Sequence, residues 1–177
     1  MTRRDLEGAV ARPVTEGDVE PEEWRKWQDL QAAVRLDATD PATRWRAHRL
    51  WELVDGSRDR FVKMAMAMAR DAVAYVSDVA RTGGEDLAPP SEVWERGADD
   101  CDGKARLFCA LLNAVRIPCR LEPLWKMGPA GKLWLAHVFA SFQDGQQRVP
   151  VELTLARARI GDSPQTVPRE TSGRWLQ

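Results

Sequence analysis

Three residues in the second half of this chain carry a thiol, an imidazole and a carboxylate: Cys101, His137 and Glu152. Together these groups can run thiol acyl transfer. The thiol must lose its proton to attack a carbonyl carbon, so it needs a base within hydrogen-bond reach. The base in turn needs a partner that orients its ring and stabilises its cation. Cys101 stands where Gly97-Ala98-Asp99-Asp100 gives way to an apolar run, Ala105, Leu107, Phe108, Cys109, Leu111, Leu112 and Val115. That pattern reads as a loop entering a buried helix. A helix N-terminus favours thiolate over thiol and offers the Cys101 N–H as an oxyanion donor. Asp99, Asp100 and Asp102 oppose the thiolate, and the sequence leaves that balance open.

His48 lies in a helical stretch and reads as a surface or helix-interface residue. His137 lies in an apolar strand, Leu133 to Phe142, followed by Asp144-Gly145 and a third strand, Val149 to Leu155. Asp-Gly between apolar runs is a hairpin signal. A two-residue turn at Asp144 and Gly145 pairs Gln143 with Gln146. Carried along both strands, that register sets Glu152 opposite His137, with Cβ atoms ~4.5–5.5 Å apart. Pro150 then faces Phe139 without an N–H for the ladder, which calls for a bulge or an edge position.

The elements that would hold these groups come in two blocks. Helices are expected from Pro21 (Trp24, Trp27, Leu30, Ala33, Val34), and after Asp40-Pro41 with Trp45, Leu50, Trp51 and Val54 on one side. A longer helix should run from Ser57 to about Arg81, its methionines Met64, Met66 and Met68 serving as core. A short helix spans about Glu92 to Arg96, and the central helix runs from Cys101 to Val115. Pro118 stops it, and a first strand, Arg120 to Met127, leads into the hairpin. Helices followed by antiparallel strands make an α+β domain, with a buried helix packed on the sheet. The expected organisation is residues 1–39 as leader and helical extension, 40–162 as the domain and 163–177 as a polar extension.

Composition sets outer bounds. The 177 residues are 44% hydrophobic and 30% charged, enough for one core. Lys and Arg number 26 against 27 Asp and Glu, a net charge of −1, so no nucleic-acid partner is expected. No apolar stretch approaches a membrane span, and Met1 to Val10 lacks a signal-peptide core. Three cysteines without a secretion signal suggest reduced thiols and a cytoplasmic setting.

The motifs resemble the transglutaminase-like superfamily, with its papain-like cysteine enzyme fold, of the bacterial or phage type. The likeness runs from about Pro89 to Asp162. Asp100-Cys101-Asp102 with the following helix is similar to the family's nucleophile motif. Arg116-Ile117-Pro118-Cys119-Arg120 resembles Gly-Ile-Pro-Ala-Arg. His137-Val138 resembles the histidine strand, and Val149-Pro150-Val151-Glu152-Leu153-Thr154 resembles Val-Pro-Val-Asp-Pro-Thr. Glu152 replaces an aspartate, Arg116 a glycine, Asp99 another glycine and Arg148 a tryptophan. The resemblance implies Cys101 as nucleophile, His137 as base, Glu152 as orienting group and a thioester resolved by water or an amine. A peptide or protein would be the substrate, and Trp94 is a candidate second oxyanion donor through its indole N–H.

Cys109 and Cys119 read as buried small hydrophobes. No cofactor and no metal is expected; a zinc domain built on the cysteines and His137 would lack Cys-x-x-Cys spacing. The other alternative is a catalytically silent scaffold, docking a protein partner through the Trp-rich N-terminal helices (Trp24, Trp27, Trp45, Trp51).

Overall fold

Prolines open three of the helices in the computed structural model, which describes residues 14–77, 80, 86–128 and 130–166. Pro21, Pro41 and Pro90 each stand in a first helical turn, where a missing N–H costs nothing. They begin α1 (Pro21–Asp37), α2 (Pro41–Leu53) and α4 (Pro90–Arg96). The Asp40 side chain caps α2, accepting from the Thr43 N–H at 2.8 Å. Helix α3 (Arg58–Arg70) lies between, followed by a short strand β1 (Ala74–Tyr75). After α4 come β2 (Ala98–Asp99), α5 (Cys101–Ala114), β3 (Cys119–Met127), β4 (Leu133–Asp144) and β5 (Gln147–Val151). The sheet β3-β4-β5 is antiparallel, and β1 pairs with β2 in parallel. The α+β class expected from the sequence is the one observed.

Two helix expectations need correction. The helix expected to reach Arg81 ends at Arg70, and Ala74 and Tyr75 leave it to pair with Ala98 and Asp99. Tyr75 is therefore 54% exposed rather than core. Pairing with a distant strand outweighs local helical periodicity there; residues 78, 79 and 81 lie outside the described residues. In α2, Trp45 is 66% exposed, whereas Leu50 and Val54 are buried and Trp51 packs edge-on to Phe61. At 3.6 residues per turn, Trp45 lies about 140° round the helix from Leu50. The methionines do serve as core, with Met66 buried and Met64 and Met68 packed against it.

Helix α5 is buried along most of its length, and the other helices and the sheet pack around it. It carries two charged residues into the core, Lys104 and Arg106, 2% and 3% exposed. Each is satisfied, as burial of charge requires. Arg106 donates to both carboxylate oxygens of Asp37 at 2.9 Å and to the Leu87 carbonyl at 2.8 Å. Lys104 donates to the carbonyls of Arg70 and Val73. Arg106 thus ties α1 to α5, and Lys104 ties the end of α3 to α5. Helix α1 also reaches the sheet: Glu23 accepts from the Leu135 N–H at 3.3 Å. Trp24 and Trp27 pack on Trp125 of β3.

The exit from α5 is left-handed at Arg116, where the motif it resembles has glycine. Arg116 has φ 63°, in the left-handed region where glycine is unstrained. The family places glycine at this position. Arg116→Gly should therefore raise stability by about 1 kcal/mol, seen as a rise in Tm of ~2–4 °C in thermal unfolding. An unchanged or lower Tm would contradict the argument.

Candidate active site

Cys101 is the first residue of α5, and Asp100 caps that helix by accepting from the Asp102 N–H at 3.1 Å. As first residue, Cys101 has an N–H with no acceptor inside the helix. The balance left open by the sequence is resolved toward the thiol. Burial, then the charges of Asp100 and Asp102, push the Cys101 thiol up to about 12. Two groups pull the other way: the nearby Val138 backbone N–H and the charge of Lys26. Val138 directly follows His137, so the strand that carries the histidine passes near the sulfur. Lys26 comes from α1 and lies 3.8 Å from Asp102 Oδ2, offsetting part of the negative charge beside the sulfur. No spacing in the sequence connects Lys26 to Cys101; only the packing of α1 does.

His137 Nε2 and Glu152 Oε2 are 2.8 Å apart. The pair expected from the hairpin is formed, but the predicted register is not. Gln143 faces Arg148 and Asp144 faces Gln147, so the turn residues are Gly145 and Gln146. The observed turn needs a positive φ only at Gly145 (55°), whereas a turn at Asp144 and Gly145 with paired positive φ would have strained Asp144. The partner of Gln143 moved by two residues, and a two-residue shift keeps side chains on the same face. The β4-β5 ladder ends at Ala140 and Val151, so Glu152 approaches from just beyond β5. Pro150 faces Ser141, not Phe139. Its carbonyl accepts from Gly161 outside the sheet, so the same edge carries its missing N–H.

β4 is irregular just before the histidine. Leu124 pairs with His137 but Trp125 pairs with Leu135, leaving Ala136 as a bulge residue. Bulges break strict alternation and re-aim neighbouring side chains. Glu152 is fully buried, and its second oxygen accepts from the Thr154 N–H at 2.7 Å and hydroxyl at 2.6 Å. Burial raises its pKa, but His137 and Thr154 outweigh burial and hold the carboxyl below its ordinary value of 4.5. Thr154 was quoted in the motif without a role; an acceptor side chain two residues before Ser or Thr was the available signal.

The remaining expected residues fall as follows. Trp94 is half-buried in α4 with the Arg46 guanidinium over its ring at 5.3 Å. His48 is exposed on α2. Asp99, at a position where the family has glycine, is fully buried, bonded to Arg96 and to the Asp100 N–H. Its carboxylate occupies the space a side chain at Gly103 would need, so Gly103 makes room for it. The three cysteines and His137 form no metal-binding group among the described residues. The one such grouping is Asp99, Asp100 and Asp102. Cys109 and Cys119 instead meet each other, so a cysteine–histidine zinc domain is not supported. No helix among the described residues is long and apolar enough to cross a membrane.

A buried helix that opens on a cysteine, packed on an antiparallel sheet whose strand β4 carries a histidine paired with a carboxylate, defines a class. The chain belongs to the transglutaminase-like superfamily, whose core pattern matches residues 53–153. Solved structures similar to it include a candidate protease from Parabacteroides distasonis (12% identity, TM-score 0.48, 74% of this chain and 30% of that one). Another is the periplasmic domain of TgpA from Pseudomonas aeruginosa bound to ethylmercury (18% identity, TM-score 0.47, 77% of this chain and 50% of that one). The chain thus spans half or less of those proteins' solved chains. No curated protein matches it.

Two predictions follow from the charges. A lowered Glu152 pKa means the unfolded chain binds that proton more readily, so the group stabilises the fold above pH 4.5. That increment is lost as pH falls from 4.5 through the depressed folded value. Denaturant melts of Glu152→Gln should therefore show lower stability at pH 7 and a shallower loss on acidification than the parent; parallel pH curves would contradict this. With its thiol pushed up to about 12, Cys101 should be alkylated by iodoacetamide at a rate still rising above pH 9. It should nonetheless outpace Cys109 and Cys119, which are buried in the core. A plateau near pH 6 would show that the thiolate is the resting form.

Proposed function

We propose that the protein is a cysteine-dependent acyl-transfer enzyme acting on an amide or peptide bond of a peptide or protein. The observation that carries this reading is the His137–Glu152 hydrogen bond at 2.8 Å, with Val138, the residue after His137, near the Cys101 sulfur. An ionised Glu152 accepts from Nε2–H, which leaves the lone pair on Nδ1 as the base. The resting group is a thiol, so His137 takes its proton as the sulfur attacks the carbonyl carbon. The Cys101 N–H, at the helix N-terminus, faces the developing oxyanion, and the Trp94 indole N–H is the second donor. Collapse of the tetrahedral intermediate expels the amine with the proton from His137 and leaves a thioester on Cys101. Water then completes hydrolysis, or an acceptor amine completes transamidation. A reducing, cytoplasmic compartment keeps the thiol available for this cycle.

The second reading is a silent scaffold of the same fold that binds a protein partner through its N-terminal helices. Its support is Trp45, a large apolar side chain 66% exposed on α2. Trp24, Trp27 and Trp51 support it less, because all three pack internally.

Intact-mass analysis after incubation with an activated peptidyl or glutaminyl ester separates the two. The parent should carry one acyl group, mapped to Cys101 and released by hydroxylamine; Cys101→Ala should carry none. His137→Ala should acylate ~10²–10⁴-fold more slowly, and Trp94→Phe ~10²-fold more slowly if its N–H serves the oxyanion. Acylation that ignores both Cys101 and His137, or none at all, would favour the scaffold.

A further inference from the structure

Two thiols take no part in the proposed chemistry, and they stand together. The Cys109 and Cys119 sulfurs are 2.9 Å apart, one in the middle of α5 and the other the first residue of β3. A disulfide needs sulfurs ~2.05 Å apart, so a movement of about 1 Å would close the bond. The backbone is already held for it. The Asn113 side chain donates to the Cys119 carbonyl at 3.0 Å and accepts from the Cys119 N–H at 2.9 Å. The Ile117 N–H also returns to the Leu112 carbonyl at 2.9 Å, fixing the exit from α5. Cys101 is out of reach of Cys109. It lies eight residues from Cys109 on one helix, about 12 Å at 1.5 Å per residue, and a disulfide requires Cα atoms within ~7 Å.

We propose that Cys109 and Cys119 are a modification site that takes a small-molecule disulfide, such as oxidised glutathione, and closes to an intramolecular disulfide that does not include Cys101. Cys109 is fully buried and Cys119 is 9% exposed, so Cys119 is the entry point. Its thiolate attacks one sulfur of the small disulfide, forming a mixed disulfide and releasing one thiolate. Cys109 then gives up its proton, attacks the Cys119 sulfur and displaces the second thiolate. The protein dithiol loses two electrons, the small disulfide gains them, and the two protons end on two small-molecule thiols. The bond staples the far half of α5 to β3, at the opposite end of the helix from Cys101.

Tryptic mapping tests this directly, because Lys104, Arg106 and Arg116 put the three cysteines on separate peptides. The folded protein is equilibrated with oxidised glutathione, denatured, alkylated with iodoacetamide and digested. The expected result is a linked pair of peptides carrying Cys109 and Cys119, a Cys101 peptide linked to neither, and a higher Tm than the reduced protein. Cys119→Ala should show no oxidant-dependent rise in Tm. Alkylation of both Cys109 and Cys119, a glutathione adduct left on Cys119, or any linkage to Cys101 would overturn the proposal.

Discussion

A helix buried on nearly all sides must neutralise every charge it brings inside, and it must begin where the core meets solvent. Helix α5 obeys both constraints, and the rest of the structure follows from them. Its start is partly open to solvent, and Cys101 stands there, half-buried. Its inner charges, Lys104 and Arg106, recruit their partners from α3, from α1 and from the segment before α4. The helical half of the chain is thereby bound to the helix that begins at Cys101. Removing one member of the Asp37–Arg106 pair would strand a charge in the core, which is far costlier than losing a surface ion pair.

The same low-polarity surroundings shape the candidate site. Burial raises the Cys101 thiol, and it would raise Glu152 too, were it not for three hydrogen bonds from His137 and Thr154. The two groups are pushed apart in character: one stays protonated at rest and the other stays ionised. In the proposed mechanism that separation suits His137, which would receive a proton from the first while the second stabilises the resulting cation. Lys26, from a helix outside the matched residues 53–153, adjusts the balance through Asp102.

Much of this was legible in the chain. Prolines and Asp40 marked helix starts, the apolar run after Cys101 marked the buried helix, and Asp144-Gly145 announced the hairpin. The same signals failed where distant contacts decide. Apolar periodicity continued past Arg70, yet the chain turned there to pair Ala74 and Tyr75 with the segment before Cys101. Trp45 reads as apolar but faces outward. The hairpin register was misplaced, and the His137–Glu152 contact survived only because the error was an even number of residues.

By itself the sequence determined the order of thiol, imidazole and carboxylate, the helix that opens on the thiol and the strands that carry the other two. These follow from side-chain chemistry, periodicity and turn preference, which act over a few residues. Tertiary structure decided the protonation of Cys101, the approach of Lys26, the clamp of Thr154 on Glu152 and the meeting of Cys109 with Cys119. Each of those depends on desolvation or on a distance of a few ångströms across the fold, and only packing sets such quantities.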